Sequence, residues 1–429
     1  MRHRKLTKRI MKKRCKNINI TDAKIVQPWV EECIMRHKRR RDFRRLLIRY
    51  GLSDDLYRAA LESQKYTSWD TTIQTIACEA ANRIKNKNLA LPPVKMRERE
   101  DRTTGKIRLI GKESPFQQIF DYIAVRAAKE IFDARLVTQQ CSSVPGRGQL
   151  YGMRMIRKYV KNDNRCIRYA EKHRKKYTSK CKYFVKLDIK KCYPNSDADI
   201  FLKLFACDCG NADLLWLWKT LLYSHRVNDY TGFMIGSLVS QWAAQYMISY
   251  IYRYAMDLAS VRREKRTKWV SHMVCFMDDM LLFSSSRKNL LRAVRRIISY
   301  AKTKLHYTIK QSFAIQRLFD VGSDMMGYIV YRSGKVAMRG RNFIKSRRLV
   351  LRYAAHGRFT ASQARRMTSY RGFYKYSDCT RAMKKYHMRR VFLHAQRVTS
   401  LFETMKGCDR CGKNLLRDAA TQNFVYALT

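Results

Sequence analysis

From Met273 to Phe283 the chain reads Met-Val-Cys-Phe-Met-Asp-Asp-Met-Leu-Leu-Phe, two short apolar runs with adjacent acids between them. Unbroken apolar runs of this length suit strands covered by protein on both faces, and a tight connection between them sets Asp278 and Asp279 at the tip of a hairpin. Neighbouring carboxylates repel each other, so a fold that places them at the end of buried strands normally neutralises them with a cation. Oxygen ligands favour a hard ion such as Mg²⁺. A polar turn between two core strands is the simpler alternative, and the rest of the chain has to decide between them.

Charge is the second constraint. The 429 residues include 90 Lys and Arg against 34 Asp and Glu, a formal net charge of +56, while 46% hydrophobic residues leave ample material for a core. A cationic excess of that size repels itself without a polyanion, which makes nucleic acid the expected partner. No apolar run is long enough to cross a membrane, and no signal-peptide core follows the basic start, so the expectation is a soluble, cytoplasmic protein without a membrane partner. The 13 cysteines are scattered through apolar stretches, as expected of reduced thiols. Cys408 and Cys411 form a CxxC and Cys207 and Cys209 a CxC, neither with a second pair at zinc-site spacing.

Taken in order, residues 1–97 read as basic helices, closing near the break at Pro92 and Pro93. Asp101 to Lys112 reads as a hairpin turning at Thr104 and Gly105, and its second strand alternates so that Lys106 and Arg108 share a face. A lysine and an arginine so placed suit a triphosphate. Pro115 to Phe132 predicts one amphipathic helix, and the glycines at 146, 148 and 152 form a turn into a basic one. Tyr183 to Asp188 is strand-like with Asp188 at its end, and Pro194 and Asn195 mark where pairing stops. Ser196 or Asp197 can cap the helix that follows. The stretch Thr231 to Gln241, with Gly232 and Gly236, reads as a capped entry into a long helix that runs to about Ala259. Strand signals then recur at 307–309, 313–315 and 325–331, and from about Arg341 the pattern returns to basic helices. There, Ser369 to Asp378 interleaves aromatic and basic residues in a way that could stack on a nucleic-acid strand.

If Asp188 and the acidic hairpin belong to neighbouring strands of one sheet, their three carboxylates suit a pair of divalent ions acting in phosphoryl transfer. With that set assembled, the sequence resembles the bacterial reverse transcriptases of group II introns, retrons, diversity-generating retroelements and phage-defence systems, over roughly Lys106 to Tyr331. Phe276-Met277-Asp278-Asp279 resembles the family's YxDD motif with Phe for Tyr, and Phe184 to Pro194 its first catalytic motif. Ile235 to Gln241 is similar to the diversity-generating type of the motif that lines the nucleotide pocket.

The resemblance implies an α+β right-hand polymerase: a basic N-terminal extension over 1–97, fingers over 98–182, a palm with an antiparallel sheet over 183–340, and a helical thumb and tail over 341–429. It implies two Mg²⁺ ions, replaceable by Mn²⁺, on Asp188, Ile189, Asp278 and Asp279. The nucleotide contacts it implies are Lys106, Arg108, Tyr193, Gly236, Gln241 and Lys310, with Tyr193 crowding a 2′-hydroxyl. Phe276, Met277, Gly327 and Tyr328 are the implied primer and template contacts. The implied partners are an RNA template, a DNA or RNA primer and deoxynucleoside triphosphates, with a noncoding RNA or accessory protein beside them, in a bacterial or phage-encoded system. A non-catalytic RNA-binding or maturase-like protein that keeps the fold is the alternative reading; an intact Asp188, Asp278 and Asp279 set speaks against it.

Overall fold

The computed structural model describes residues 13–101, 105–224 and 232–407. Four helices open it, α1 (Ala23–His37), α2 (Arg41–Arg49), α3 (Asp54–Ser63) and α4 (Asp70–Lys85), followed by the ribbon β1 (Lys95–Asp101) and β2 (Lys106–Lys112). Helices α5 (Pro115–Ala127), α6 (Lys129–Arg135) and α7 (Gln149–Lys172) lead to β3 (Tyr183–Asp188). Then come α8 (Ala198–Asp208), α9 (Ala212–Ser224) and α10 (Leu238–Asp257), a ribbon of β4 (Ala259–Arg262) and β5 (Lys265–Lys268), and the hairpin β6 (His272–Phe276) and β7 (Asp279–Ser284). Helix α11 (Arg287–Leu305) precedes the short strands β8 (Gln316–Arg317), β9 (Ser323–Met325), β10 (Tyr328–Val330) and β11 (Val336–Met338). The described chain ends in α12 (Gly340–His356), α13 (Ala361–Lys375), α14 (Thr380–Lys385) and α15 (Met388–Gly407).

These elements fall into two compact units, one made of Met1–Ser143, Leu187–Leu258 and Arg292–Phe313, the other of Val144–Lys186, Ala259–Leu291 and Ala314–Thr429. The first is mostly helical. Its centre is an aromatic cluster in which Trp218 of α9 meets Phe201 and Phe205 of α8 at ring distances of 5.2 and 5.3 Å, with Phe132 of α6 at 5.7 Å. Asp208 closes α8 inside this core, fully buried, and takes Arg135 Nε at 2.5 Å and the Tyr246 hydroxyl at 2.6 Å. Burying a carboxylate is tolerable only with such charge-assisted partners.

The second unit carries a four-stranded sheet in the order β6-β7-β3-β8, in which β6 and β7 pair antiparallel, as do β3 and β8. Met273, Val274 and Cys275 of β6 and Met280 to Phe283 of β7 are all buried, so the hairpin is covered on both faces, as its unbroken apolar runs predict. A three-stranded sheet, β11-β10-β9, leads into α12 to α15, whose core includes Leu349, Met367, Tyr374 and Phe392. Tyr374 is therefore core, hydrogen-bonded to Ser346 at 3.0 Å, and is not available as a nucleic-acid stacking platform.

Several local expectations are refined. The helix predicted over 115–132 breaks at Ala128 into α5 and α6, and the strands predicted at 307–309 and 313–315 reduce to an isolated bridge at Ile309 and the two-residue β8. Asp197 is the residue that caps α8; Ser196 instead hydrogen-bonds the buried Tyr307 hydroxyl at 2.8 Å. The eleven cysteines among the described residues are free thiols, and Cys207 is exposed while Cys209 is buried, which divides that pair. Cys408 and Cys411 lie outside the described residues.

Asp163 of α7 fastens the second unit. Its carboxylate receives Tyr177 at 2.9 Å, Ser179 at 2.6 Å, the Lys180 N–H at 2.7 Å and Arg332 at 2.8 Å. Burial alone raises its pKa, but these donors outweigh that and hold it below the usual carboxylate range. A depressed acid pKa gives stability that is present above about pH 4 and is lost as pH falls through the folded value. Asp163→Ala should thus cost about 3 kcal/mol at neutral pH. In urea unfolding, the gap between variant and parent should close as pH is lowered toward about 2.

Candidate active site

In the first unit the predicted residues converge around the end of β3. Asp188 is its last residue, and the Lys310 ammonium lies 2.6 Å from Asp188 Oδ1, while the Lys310 N–H donates to the Asp188 carbonyl at 2.9 Å. The next residue, Ile189, bridges Ile309, and the Lys190 N–H donates to the Thr308 carbonyl at 2.7 Å. The chain then turns through Lys191, whose φ of 46° is unusual for a side-chain-bearing residue, and brings up the half-buried Tyr193. The Tyr193 carbonyl accepts the Phe233 N–H at 2.7 Å.

That last contact joins Tyr193 to the glycine turn before α10. The same turn is fixed from its other side, where the Gly111 N–H of β2 donates to the Ile235 carbonyl at 2.9 Å. Gly236 has a φ of +116°, and a Cβ there would fall 2.7 Å from the Gly111 carbonyl oxygen, so only glycine fits. One turn therefore ties the β1–β2 ribbon to Tyr193, and the half-buried Gln241 follows within the first helical turn of α10. In the ribbon Arg108 pairs with Arg99 and is exposed, but so are Ile107 and Leu109 between the basic residues, so the alternation does not mark a buried face; the Lys106 backbone pairs with Asp101.

In the second unit the acidic hairpin has the expected form. Phe276 and Asp279 are its last paired residues, and Met277 and Asp278 make a two-residue turn. Met277 has a φ of 52°, a conformation costly for a residue with a side chain and here held by the buried strands on either side. Asp279 Oδ2 lies 2.8 Å from the ammonium of Lys186 on β3. Lys186 is a residue the motif reading passed over. Alternation puts Lys186 on the same face of β3 as Asp188, but no local pattern pairs it with Asp279.

Gly327 and Tyr328, the expected primer contacts, sit where β10 meets the helices. Gly327 has a φ of +85°, a Cβ there would come within 2.6 Å of the Phe373 ring, and the buried Tyr328 ring packs 5.1 Å from that same phenylalanine. The Tyr328 side chain is thus spent on packing, which leaves the backbone of this turn as the part able to meet a primer.

Among the described residues no three His, Cys, Asp or Glu side chains form a ready metal-holding group. The donors themselves suit a hard divalent ion: Asp188 and Asp279 each offer carboxylate oxygen, and each already has a cation at contact distance in the form of a lysine ammonium.

This is a right-hand polymerase fold of mixed helix and sheet. Residues 104–312 match the family described as Reverse transcriptase (RNA-dependent DNA polymerase), a match that supports a reverse transcriptase domain over that stretch. Among solved structures the chain is similar to telomerase from Candida albicans, determined with a fragment of telomeric RNA, at 11% identity and a TM-score of 0.38 over 78% of this chain and 67% of that one. The comparison with curated proteins gives no match. No helix among the described residues is long and apolar enough to cross a membrane.

The close approach at Gly236 gives a direct test. Gly236→Ala should destabilise by about 1–3 kcal/mol, because it combines a positive φ with a backbone collision. Gly372→Ala, in a helix with open space around the added carbon, should be neutral or slightly stabilising. Denaturant midpoints of the two variants check this.

Proposed function

We propose that the protein is an RNA-directed DNA polymerase that copies an RNA template from a DNA or RNA primer. The observation that carries this reading is the family match over residues 104–312, which spans every candidate residue of the strand-end and hairpin motifs. On this reading residues 98–182 act as fingers, 183–340 as palm and 341–429 as thumb and tail, with the basic helices of 1–97 as an extension. The programme it serves is a diversity-generating retroelement, which Ile235 ahead of Gly236 and Ser240-Gln241 support, or a phage-defence system.

Asp188, Ile189, Asp278 and Asp279 would hold two Mg²⁺ ions, or Mn²⁺ in their place, with Ile189 contributing through its main chain. When bound, such ions supply the activation of the primer hydroxyl and the neutralisation of the pyrophosphate. The chain's own residues do the positioning. Lys106, Arg108 and Lys310 bind and orient the triphosphate. Tyr193, held by the Phe233 N–H, blocks a 2′-hydroxyl, and Gly236 and Gln241 shape the base-side wall. Phe276 and Met277 support the primer end, and the backbone of Gly327 and Tyr328 steadies it.

Primer extension on an RNA template with Mg²⁺ or Mn²⁺ is the test. The parent protein should extend, and Asp278→Ala and Asp188→Ala should each lower the rate by at least about 100-fold while RNA binding persists. A parent protein that binds RNA but extends no primer, its natural RNA included, would sink the proposal in favour of a non-catalytic RNA-binding role. Tyr193→Ala should raise ribonucleotide incorporation relative to deoxynucleotide by about 10-fold or more, measured as the ratio of kcat/KM values. An unchanged ratio removes Tyr193 from that role.

A further inference from the structure

The first unit contains a second pair of acids, remote in sequence from the candidate metal ligands and used by nothing described above. Glu113 follows directly on β2 and Asp121 lies in α5; the two are 4% and 0% exposed. Asp121 Oδ2 accepts the Ser237 hydroxyl at 2.9 Å, the Leu238 N–H at 2.9 Å and the Val239 N–H at 3.1 Å. Those residues are the cap and the first two positions of α10, so a carboxylate from another helix satisfies amides that the helix itself leaves open.

The other oxygen, Asp121 Oδ1, is buried, and no N–H or O–H group of another kind reaches it among the described residues. The Glu113 carboxyl is an acidic neighbour that interacts with Asp121. Two carboxyl groups in hydrogen-bond contact must share a proton, because neither carboxylate has one to give when both are ionised. Burial and the neighbouring Asp121 push Glu113 far above the ordinary carboxylate range, and burial lifts Asp121 to about 7 even against its three donors. Among the charged and titratable groups that reach the pair, two come from the N-terminal helical region. From α1 comes the Cys33 thiol, itself kept neutral by burial, and just before α2 lies Arg40, which is already engaged by Asp42 and Gln118.

We propose that Glu113 and Asp121 are a proton-sharing positioning pair that holds the start of α10, and with it Gly236 and Gln241, in the shape that receives the incoming nucleotide. The proposal rests on the polymerase reading for the nucleotide and on the hydrogen bonds alone for the clamp. The clamp has a second anchor close by: Gly111, two residues before Glu113, donates to the Ile235 carbonyl, and the Met234 N–H donates to Ser240 Oγ at 3.2 Å. The end of β2 thus grips the turn through its backbone, and through Glu113 it grips the helix that follows. Removing the shared proton puts two like charges side by side in a dry site, and the pair must separate or admit water.

The sign follows from the direction of the shifts. Both acids have folded values above their unfolded ones, so the folded state binds the extra protons, and the stability they contribute falls as pH climbs above about 4 and through the folded values. Loosening of α10 therefore belongs to the alkaline side.

Amide hydrogen exchange over residues 234–241, corrected for intrinsic rates, tests the clamp in the full chain without requiring polymerase activity. The parent should lose at least about 10-fold in protection between pH 7 and pH 9.5. Glu113→Gln, which keeps a donor for Asp121 and cannot ionise, should stay protected across that range, and Glu113→Ala should be poorly protected throughout. A parent whose protection does not change with pH, or a Glu113→Gln profile that follows the parent's, overturns the pair. In an enzyme that extends primers, the nucleotide KM should rise along the same alkaline limb in the parent and stay level in Glu113→Gln, with kcat much less affected. A KM that ignores the change in protection overturns the positioning role. Failure of the parent to extend any primer counts against the polymerase reading, while the exchange profiles still decide the clamp.

Discussion

Scarce carboxylates placed where they have most effect hold this protein together. A chain with 90 basic and 34 acidic residues cannot gain much from surface ion pairs, which are worth little and are outnumbered by repulsions. It uses individual acids as buried anchors. Asp208 joins α6, α8 and α10 through Arg135 and Tyr246, Asp163 joins α7 to the loop before β3 and to Arg332, and Asp121 joins α5 to α10. Each would be prohibitively costly alone and becomes favourable only because several donors meet it. The candidate metal-binding acids are placed differently: Asp188 and Asp279 are partly exposed, and each has a lysine ammonium at contact distance.

Backbone strain occurs at several points along the chain, three of them at or beside the candidate site residues. Met277 in the acidic turn, Lys191 before Tyr193 and Met326 before Gly327 all have positive φ without being glycine. The cost at each is on the order of 1 kcal/mol, and the flanking buried strands or close packing supply what holds it. Strain of this kind fixes where a side chain or carbonyl points.

Much of this was legible in the sequence. The unbroken apolar runs around Asp278 and Asp279 pointed to the buried hairpin, Thr104-Gly105 and the pattern after it to the β1–β2 ribbon, and the stretch Thr231 to Gln241 to the capped entry of a long helix. What stayed hidden depended on contacts distant in sequence. Nothing local marks Lys186 as the partner of Asp279 or Glu113 as the partner of Asp121. Tyr374 looked like a stacking residue because its neighbours are basic, yet its ring is in the helical core, where spacing rather than composition decides burial. The break at Ala128 carries no Gly or Pro signal at all.

The buried anchors have a practical corollary. Bonds between a carboxylate and donors shut away from solvent are barely screened by salt, whereas contacts between surface lysines and a phosphate backbone weaken steeply as ions are added. Concentrated salt should therefore release a nucleic acid held on the surface lysines and arginines while Asp163, Asp208 and Asp121 keep their partners and the chain stays folded.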